Sequence, residues 1–285
     1  MTAPAQDPMV STSWLSERLD EPDVVVIDAT WYLPGDPRNA RAEHAARHIP
    51  GAVFFDIDVI SDHATHLPHM LPAPTAFAVH ARRLGVAPES RVVVYDAQGI
   101  FSAPRVWWSF RAMGHDRIWV LDGGLPKWLA ESRPIEAGWP VREHTHFKAH
   151  LDADLVRDLD QVRAALDQGS EQVVDARSAA RFTGEAPEPR PGLRGGHMPG
   201  AHNLPSSAVV NPDGTLAGAD TLRQLFAKAG VDVDKPIVTT CGSGVSAAVM
   251  ALALARMSHW RTAVYDGSWS EWGGRSDTAV VKGAQ

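Results

Sequence analysis

The chain of 285 residues holds a single cysteine, Cys241. One thiol cannot close an intramolecular disulfide, which excludes a stapled secreted scaffold. Long hydrophobic runs are also missing. The longest candidate, Val245 to Met257, spans 13 residues, short of the roughly 20 needed to cross a bilayer. Met1 to Met9 is short, holds Asp7 and has no apolar core, so no signal peptide is expected. No run of like charge occurs, and 34 acidic residues against 27 basic give a net charge of −7. That balance offers no basic face for nucleic acid. A cytoplasmic protein without nucleic-acid or membrane partners is expected, in a reducing compartment that keeps a lone thiol usable.

What is present is a repeat. With 44% hydrophobic and 21% charged residues, close to globular averages, either half can build a core. His48-Ile49-Pro50-Gly51-Ala52 returns as His197-Met198-Pro199-Gly200-Ala201, an offset of 149. Arg91-Val92-Val93-Val94-Tyr95-Asp96 lines up with Pro236-Ile237-Val238-Thr239-Thr240-Cys241, an offset of 145. Val120-Leu121-Asp122-Gly123-Gly124 matches Val264-Tyr265-Asp266-Gly267-Ser268, an offset of 144. Blocks in the same order with so small a drift mark a tandem duplication. The halves are read as 1–133 and 151–285, joined by a linker over 134–150 that lacks strong periodicity.

Within each half, short β-branched runs alternate with helical patterns. Strands are predicted at 24–28, 91–95 and 118–121, then 172–175, 236–240 and 262–265. Helices are predicted at 75–84, 104–113, 219–229 and 245–257. This alternation implies an α/β fold, two parallel sheets each with helices on both faces.

Cys241 falls where a strand passes through a glycine-rich loop into a helix, Ile237-Val238-Thr239-Thr240-Cys241-Gly242-Ser243-Gly244-Val245-Ser246-Ala247. Ligands of open parallel sheets bind beyond the carboxyl ends of strands. Gly242 and Gly244 let the loop curl so that N–H groups converge, and a helix starting near Val245 adds its positive end. Both features favour a thiolate. A lone cysteine is ordinarily a small buried hydrophobe, and the flanking glycines at this junction argue otherwise. A Cys-x5-Arg phosphatase would need Arg at position 247, which is Ala247.

The loop Cys241-Gly242-Ser243-Gly244-Val245-Ser246-Ala247 resembles the active loop of the rhodanese superfamily, in its 3-mercaptopyruvate sulfurtransferase branch. The thiosulfate branch carries basic residues just after the cysteine, where this chain has Gly242 and Ser243. The resemblance extends over nearly the whole chain, through Trp31-Tyr32-Leu33-Pro34, Ser102-Ala103-Pro104-Arg105-Val106-Trp107-Trp108 and Tyr265-Asp266-Gly267-Ser268-Trp269. It implies two tandem rhodanese-like domains. Asp96 stands where the second half has Cys241, and a carboxylate cannot carry a persulfide. The first half is therefore expected to be catalytically silent, a wall of the cleft.

The resemblance also implies roles. Cys241 would take sulfur from the donor, with Gly242, Gly244, Val245 and Ser246 forming the cradle. Arg181 and Arg190 would bind the donor carboxylate, a task suited to the guanidinium fork. Ser243, His69 and Asp58 would form a proton relay, with Asp56 competing with Asp58. Arg177, beside Asp175 at a strand end, is read as half of a structural ion pair. His48 and His197 belong to the repeated turn and are given structural roles. Trp31, Phe101 and Trp269 are either cleft walls or core. His63, His66 and His69 lie close together without a carboxylate or thiolate at ligand spacing, so no metal is expected, and no cofactor. The acceptor would be a thiol such as thioredoxin, or cyanide. The alternatives are a thiosulfate sulfurtransferase with the same chemistry, and a docking module without catalysis.

Overall fold

Ten strands form two sheets, each of five parallel strands, in a computed structural model that describes residues 7–284. Residues 1–6 of the segment read for a leader lie outside the described residues. The first sheet has β1 (Met9–Val10), β2 (Val24–Asp28), β3 (Val53–Phe54), β4 (Arg91–Tyr95) and β5 (Ile118–Leu121), in the order β1-β5-β4-β2-β3. The second has β6 (Val156–Arg157), β7 (Gln172–Asp175), β8 (His202–Asn203), β9 (Ile237–Thr240) and β10 (Ala263–Tyr265), in the order β6-β10-β9-β7-β8. The two orders are the same once the numbering is shifted by five. The duplication read from the sequence is a duplication of topology.

Around the first sheet run helices α1 (Thr12–Ser16), α2 (Ala40–Ala46), α3 (Pro74–Arg83), α4 (Ala103–Ala112) and α5 (Gly124–Ala130). The second carries α6 (Leu159–Gln168), α7 (Ala179–Thr183), α8 (Ala219–Lys228), α9 (Ala247–Arg256) and α10 (Ser268–Trp272). The central strands β2 and β4 read as runs of Val because both faces are covered. Helix α9, Ala-Ala-Val-Met-Ala-Leu-Ala-Leu-Ala-Arg, is apolar all round and buries every residue but Arg256. Among the described residues, no helix is long and apolar enough to cross a membrane.

By contact the chain divides into two compact units. Of the described residues, the first takes those up to 63, 71–152 and 211–216, and the second takes 64–70, 153–210 and those from 217 onward. Val24, Val26, Val93, Tyr95, Leu121 and Trp128 form one core of the first unit. Segment 134–150 packs on that unit. The Phe147 ring lies 5.9 Å from Phe110, and the Phe147 carbonyl accepts from Arg82 Nε at 2.8 Å. In the second unit Val173, Phe182, Val238, Tyr265, Trp269 and Trp272 share a core.

The loops after β4 and β9 occupy the same place in the two sheets. Each has its first carbonyl held from the turn after the next strand: Leu125 N–H donates to Asp96 O at 3.0 Å, and Trp269 N–H to Cys241 O at 2.9 Å. In the first unit the loop is filled by its own side chain. The Asp96 carboxylate, fully buried, accepts from the N–H groups of Gln98 (2.8 Å), Phe101 (2.8 Å), Ser102 (2.9 Å) and Ala103 (2.9 Å). Burial pushes this carboxyl up, and the four donors pull it back. Asp96→Ala strands those donors, so the first unit should lose about 2–4 kcal/mol of stability. The loss would be read from the urea midpoint, and Asp96→Asn, which keeps an acceptor oxygen, should lose less.

Candidate active site

Cys241 follows β9 directly, is 2% exposed and is a free thiol. The helix behind it begins at Ala247 rather than near Val245, so residues 241–246 are all loop. Gly244 takes the left-handed turn, with φ +78°, where any other residue would be strained. Gly242 has no positive φ and serves a different purpose. A Cβ there would lie 2.9 Å from Arg181 Nη2, so the glycine makes room for a guanidinium.

The loop is pinned by three residues that sequence reasoning missed as a set, Ser268, Trp269 and Ser270. Cys241 N–H donates to Ser268 Oγ (3.2 Å), which itself donates to Tyr265 O (2.8 Å). Ser270 donates to Gly242 O through both N–H (2.8 Å) and Oγ (2.7 Å). A signal was available. The repeat pairs Ser268 with Gly124; Gly124 sits at φ +54° and Ser268 at φ 49°. A serine held in a glycine conformation marks a position retained for its hydroxyl.

Ser243 and His69 come together. His69 Nδ1 and Ser243 Oγ are hydrogen-bonded at 3.0 Å, and both residues are buried. His69 lies in segment 64–70, which belongs to the second unit, and it too has a positive φ of 62°. A left-handed histidine costs on the order of 1 kcal/mol, the kind of strain found where a side chain must be aimed. Asp58 belongs to the first unit, where both its oxygens accept from Trp31 Nε1, at 3.2 and 3.1 Å. Asp56 is engaged by Val59 N–H (3.3 Å) and Arg41 Nη1 (3.5 Å). His48 and His197 bond to the carbonyls of His44 (2.8 Å) and Phe182 (2.9 Å), which is structural work. Among the described residues, no group of three or more His, Cys, Asp or Glu is arranged to hold a metal ion.

The arginines are organised by carboxylates. Arg177 pairs with Asp175, Nη2 to Oδ2 at 2.6 Å and Nε to Oδ1 and Oδ2 at 3.1 and 3.0 Å. Its guanidinium lies 4.1 Å over the Trp269 ring, which places Trp269 in the core. Arg177 Nη1 donates to Glu188 Oε1 (2.7 Å), and the other oxygen of Glu188 accepts from Arg181 Nη2 (2.5 Å). Burial opposes the charge on Arg177, yet Asp175 and Glu188 outweigh it and its pKa rises. Arg181 thus stands against Gly242, next to the cysteine. Arg190 follows Glu188 by two residues and is half-buried.

Comparison with known proteins identifies the family of the chain. The model of the rhodanese-like domain matches twice, at residues 11–131 and 158–275. The 3-mercaptopyruvate sulfurtransferase of Escherichia coli K12 is 45% identical over 272 residues, 95% of this chain and 96% of that one. Thiosulfate/3-mercaptopyruvate sulfurtransferase 1, mitochondrial, of Arabidopsis thaliana is 42% identical over 96% of this chain and 78% of its own length. The crystal structure of Escherichia coli SseA superposes with a TM-score of 0.86 at 42% identity, covering 93% of this chain and 99% of that one.

The contact at position 242 yields a test. Gly242→Ala should push Arg181 aside and weaken binding of a small carboxylate such as pyruvate by about tenfold, roughly one charge-assisted hydrogen bond. Calorimetric titration measures this, and unchanged affinity would show that Arg181 moves without consequence.

Proposed function

The chain belongs to the rhodanese family as a tandem-domain sulfurtransferase, and we propose that its donor is 3-mercaptopyruvate, with Cys241 as the sulfur carrier. The observation that carries the reading is a convergence on one loop: Cys241, a guanidinium against the next residue, and a histidine on the residue after that. The neutral Gly242 and Ser243 support a carboxylate donor over a dianion, since the loop itself brings no cation.

In the proposed first half-reaction the Cys241 thiolate attacks the donor sulfur. A sulfur–sulfur bond forms and the carbon–sulfur bond breaks. Its electron pair goes to carbon, giving the enolate of pyruvate, which takes up a proton and leaves as pyruvate. Ser243, polarised by His69, handles that proton. Asp58 is proposed as the orienting carboxylate on the resemblance of its Phe55-Asp56-Ile57-Asp58 segment. Arg181 and Arg190 hold the donor carboxylate. N–H groups of Gly244, Val245 and Ser246 cradle the persulfide; in the first unit the Asp96 carboxylate is held by N–H groups of Phe101, Ser102 and Ala103, which the repeat pairs with Ser246, Ala247 and Ala248. In the second half-reaction a thiol such as thioredoxin, or cyanide, takes the outer sulfur and restores the thiolate. The first unit carries Asp96 at the reacting position and stays silent. A reducing, cytoplasmic compartment belongs to the proposal, because the mechanism needs the lone thiol unoxidised.

Intact-mass spectrometry after 3-mercaptopyruvate should show about 32 Da added, one sulfur atom on the carrier thiol. The addition should vanish in Cys241→Ser, and an adduct that survives there would refute the assignment. His69→Ala should lower kcat by about 10²–10⁴, the usual size of a lost proton-transfer partner. Comparison of kcat/KM should favour 3-mercaptopyruvate over thiosulfate, and the reverse order would overturn the choice of donor.

A further inference from the structure

We infer that Glu188 is a positioning residue that sets Arg181 for the donor carboxylate. The inference rests on the sulfurtransferase reading for the identity of the ligand, and on geometry alone for the device. The Glu188 side chain is 1% exposed and lies between two arginines. Oε1 takes Arg177 Nη1 at 2.7 Å, and Oε2 takes Arg181 Nη2 at 2.5 Å, with Arg181 Nε at 3.4 Å from Oε1. The two arginines differ in what remains. Arg177 is fully buried and spent, its other donors given to Asp175 and to Gly196 O (2.9 Å). Arg181 is 21% exposed and presents only its Nε/Nη2 edge to Glu188. Among the described residues, its Nη1 makes no hydrogen bond. The remaining Nη1/Nη2 edge can take a second carboxylate with two parallel hydrogen bonds.

A chain of alternating charge therefore runs Asp175, Arg177, Glu188, Arg181. It starts at the rigid end of β7 and finishes against Gly242, beside Cys241. An arginine at a surface samples many rotamers, and fixing it in advance removes that cost from binding. The first unit supplies the control. Asp28 and Asp175 both face the carbonyl end of the neighbouring central strand, paired with Tyr95 and Thr240. Two residues on, the second unit has Arg177 and the first has Thr30, whose N–H (3.0 Å) and Oγ (2.5 Å) cap Asp28. Among the described residues, this charge chain is found in the unit that carries the thiol and not in the other.

The lone cysteine allows a test that does not depend on the donor. Iodoacetate and iodoacetamide are alkylators of similar size, and only the first bears a carboxylate, so their rate ratio at Cys241 reports the guanidinium. Glu188→Gln should lower that ratio by about tenfold and raise KM for 3-mercaptopyruvate by a similar factor, with kcat within about threefold. Glu188→Asp keeps the charge beside Arg177 but shortens the reach to Arg181. It should shift both quantities in the same direction, by about threefold. An unchanged ratio in both variants overturns the inference. So does an equal slowing of both reagents, which would mean general damage. A fallen ratio in a protein whose wild type takes no sulfur from 3-mercaptopyruvate supports the positioning role while sinking the choice of donor.

Discussion

The Arg177 guanidinium has no exposed surface. Left unpaired, a charge so placed would cost several kcal/mol, so the fold around it must supply carboxylates. Asp175 meets the demand from the end of β7, and Glu188 meets it from the loop after α7. Trp269 covers the face of the fork and also gives the N–H that holds Cys241 O. Satisfying one buried cation thus brings together the strand end, the arginine-bearing loop and the turn that pins the cysteine. Once Glu188 is held by Arg177, its second oxygen has only one direction left to offer, and Arg181 takes it. The reach of Arg181 toward position 242 follows from a pairing two residues away from the chemistry.

The duplicated unit shows what that constraint adds. Both units share strand order, loop position and the clamp from the following turn. In the first, Thr30 and Leu125 stand where the second has Arg177 and Trp269. Thr30 and Leu125 line a pocket of about 190 Å³ together with Asp28 and His44. Asp28 is satisfied locally by Thr30 and by His44 Nδ1 at 2.9 Å. Asp96 in turn fills its own loop, using four N–H donors on one carboxylate. One backbone design holds an internal anion in one unit and leaves a thiol at the same place in the other. The two units differ here by a few side chains on a common frame.

Much of this was legible in the sequence because the central strands are long and continuous runs of Val and Ile. All six of the longer strands stand where the short β-branched runs predict them, within a residue. The four edge strands β1, β3, β6 and β8 have two residues each, too few for any pattern to show. Helices α1, α7 and α10 have five residues, less than two turns. Helix α6 is a different case, since its capping box of Asp158 and Gln161 was there to be read. At the site, the place of Cys241 and the Arg177–Asp175 pair follow from local spacing, and Ser243 from the resemblance of its loop. Glu188 does not, because it meets Arg177 across 11 residues of a loop with no period. Ser270 was hidden for the same reason, its hydroxyl meeting Gly242 O across 28 residues.

Position 242 ties these strands of reasoning together. Glycine there can be explained by loop flexibility, but its backbone angles do not call for glycine, whereas those of Gly244 do. The space is what matters, since Arg181 Nη2 occupies the region a side chain would need. A basic residue at 242 and a buttressed Arg181 are therefore alternatives, two ways of bringing positive charge to one thiol. Charge carried on the loop lies close to the sulfur and suits a compact dianion. Charge carried on Arg181 is fixed by Glu188 and stands to one side, where it matches a donor whose anionic group is separated by carbon atoms from the sulfur it gives up. On the proposed reading, selection of the donor is set less by the cysteine loop itself than by the carboxylate that aims an arginine at it.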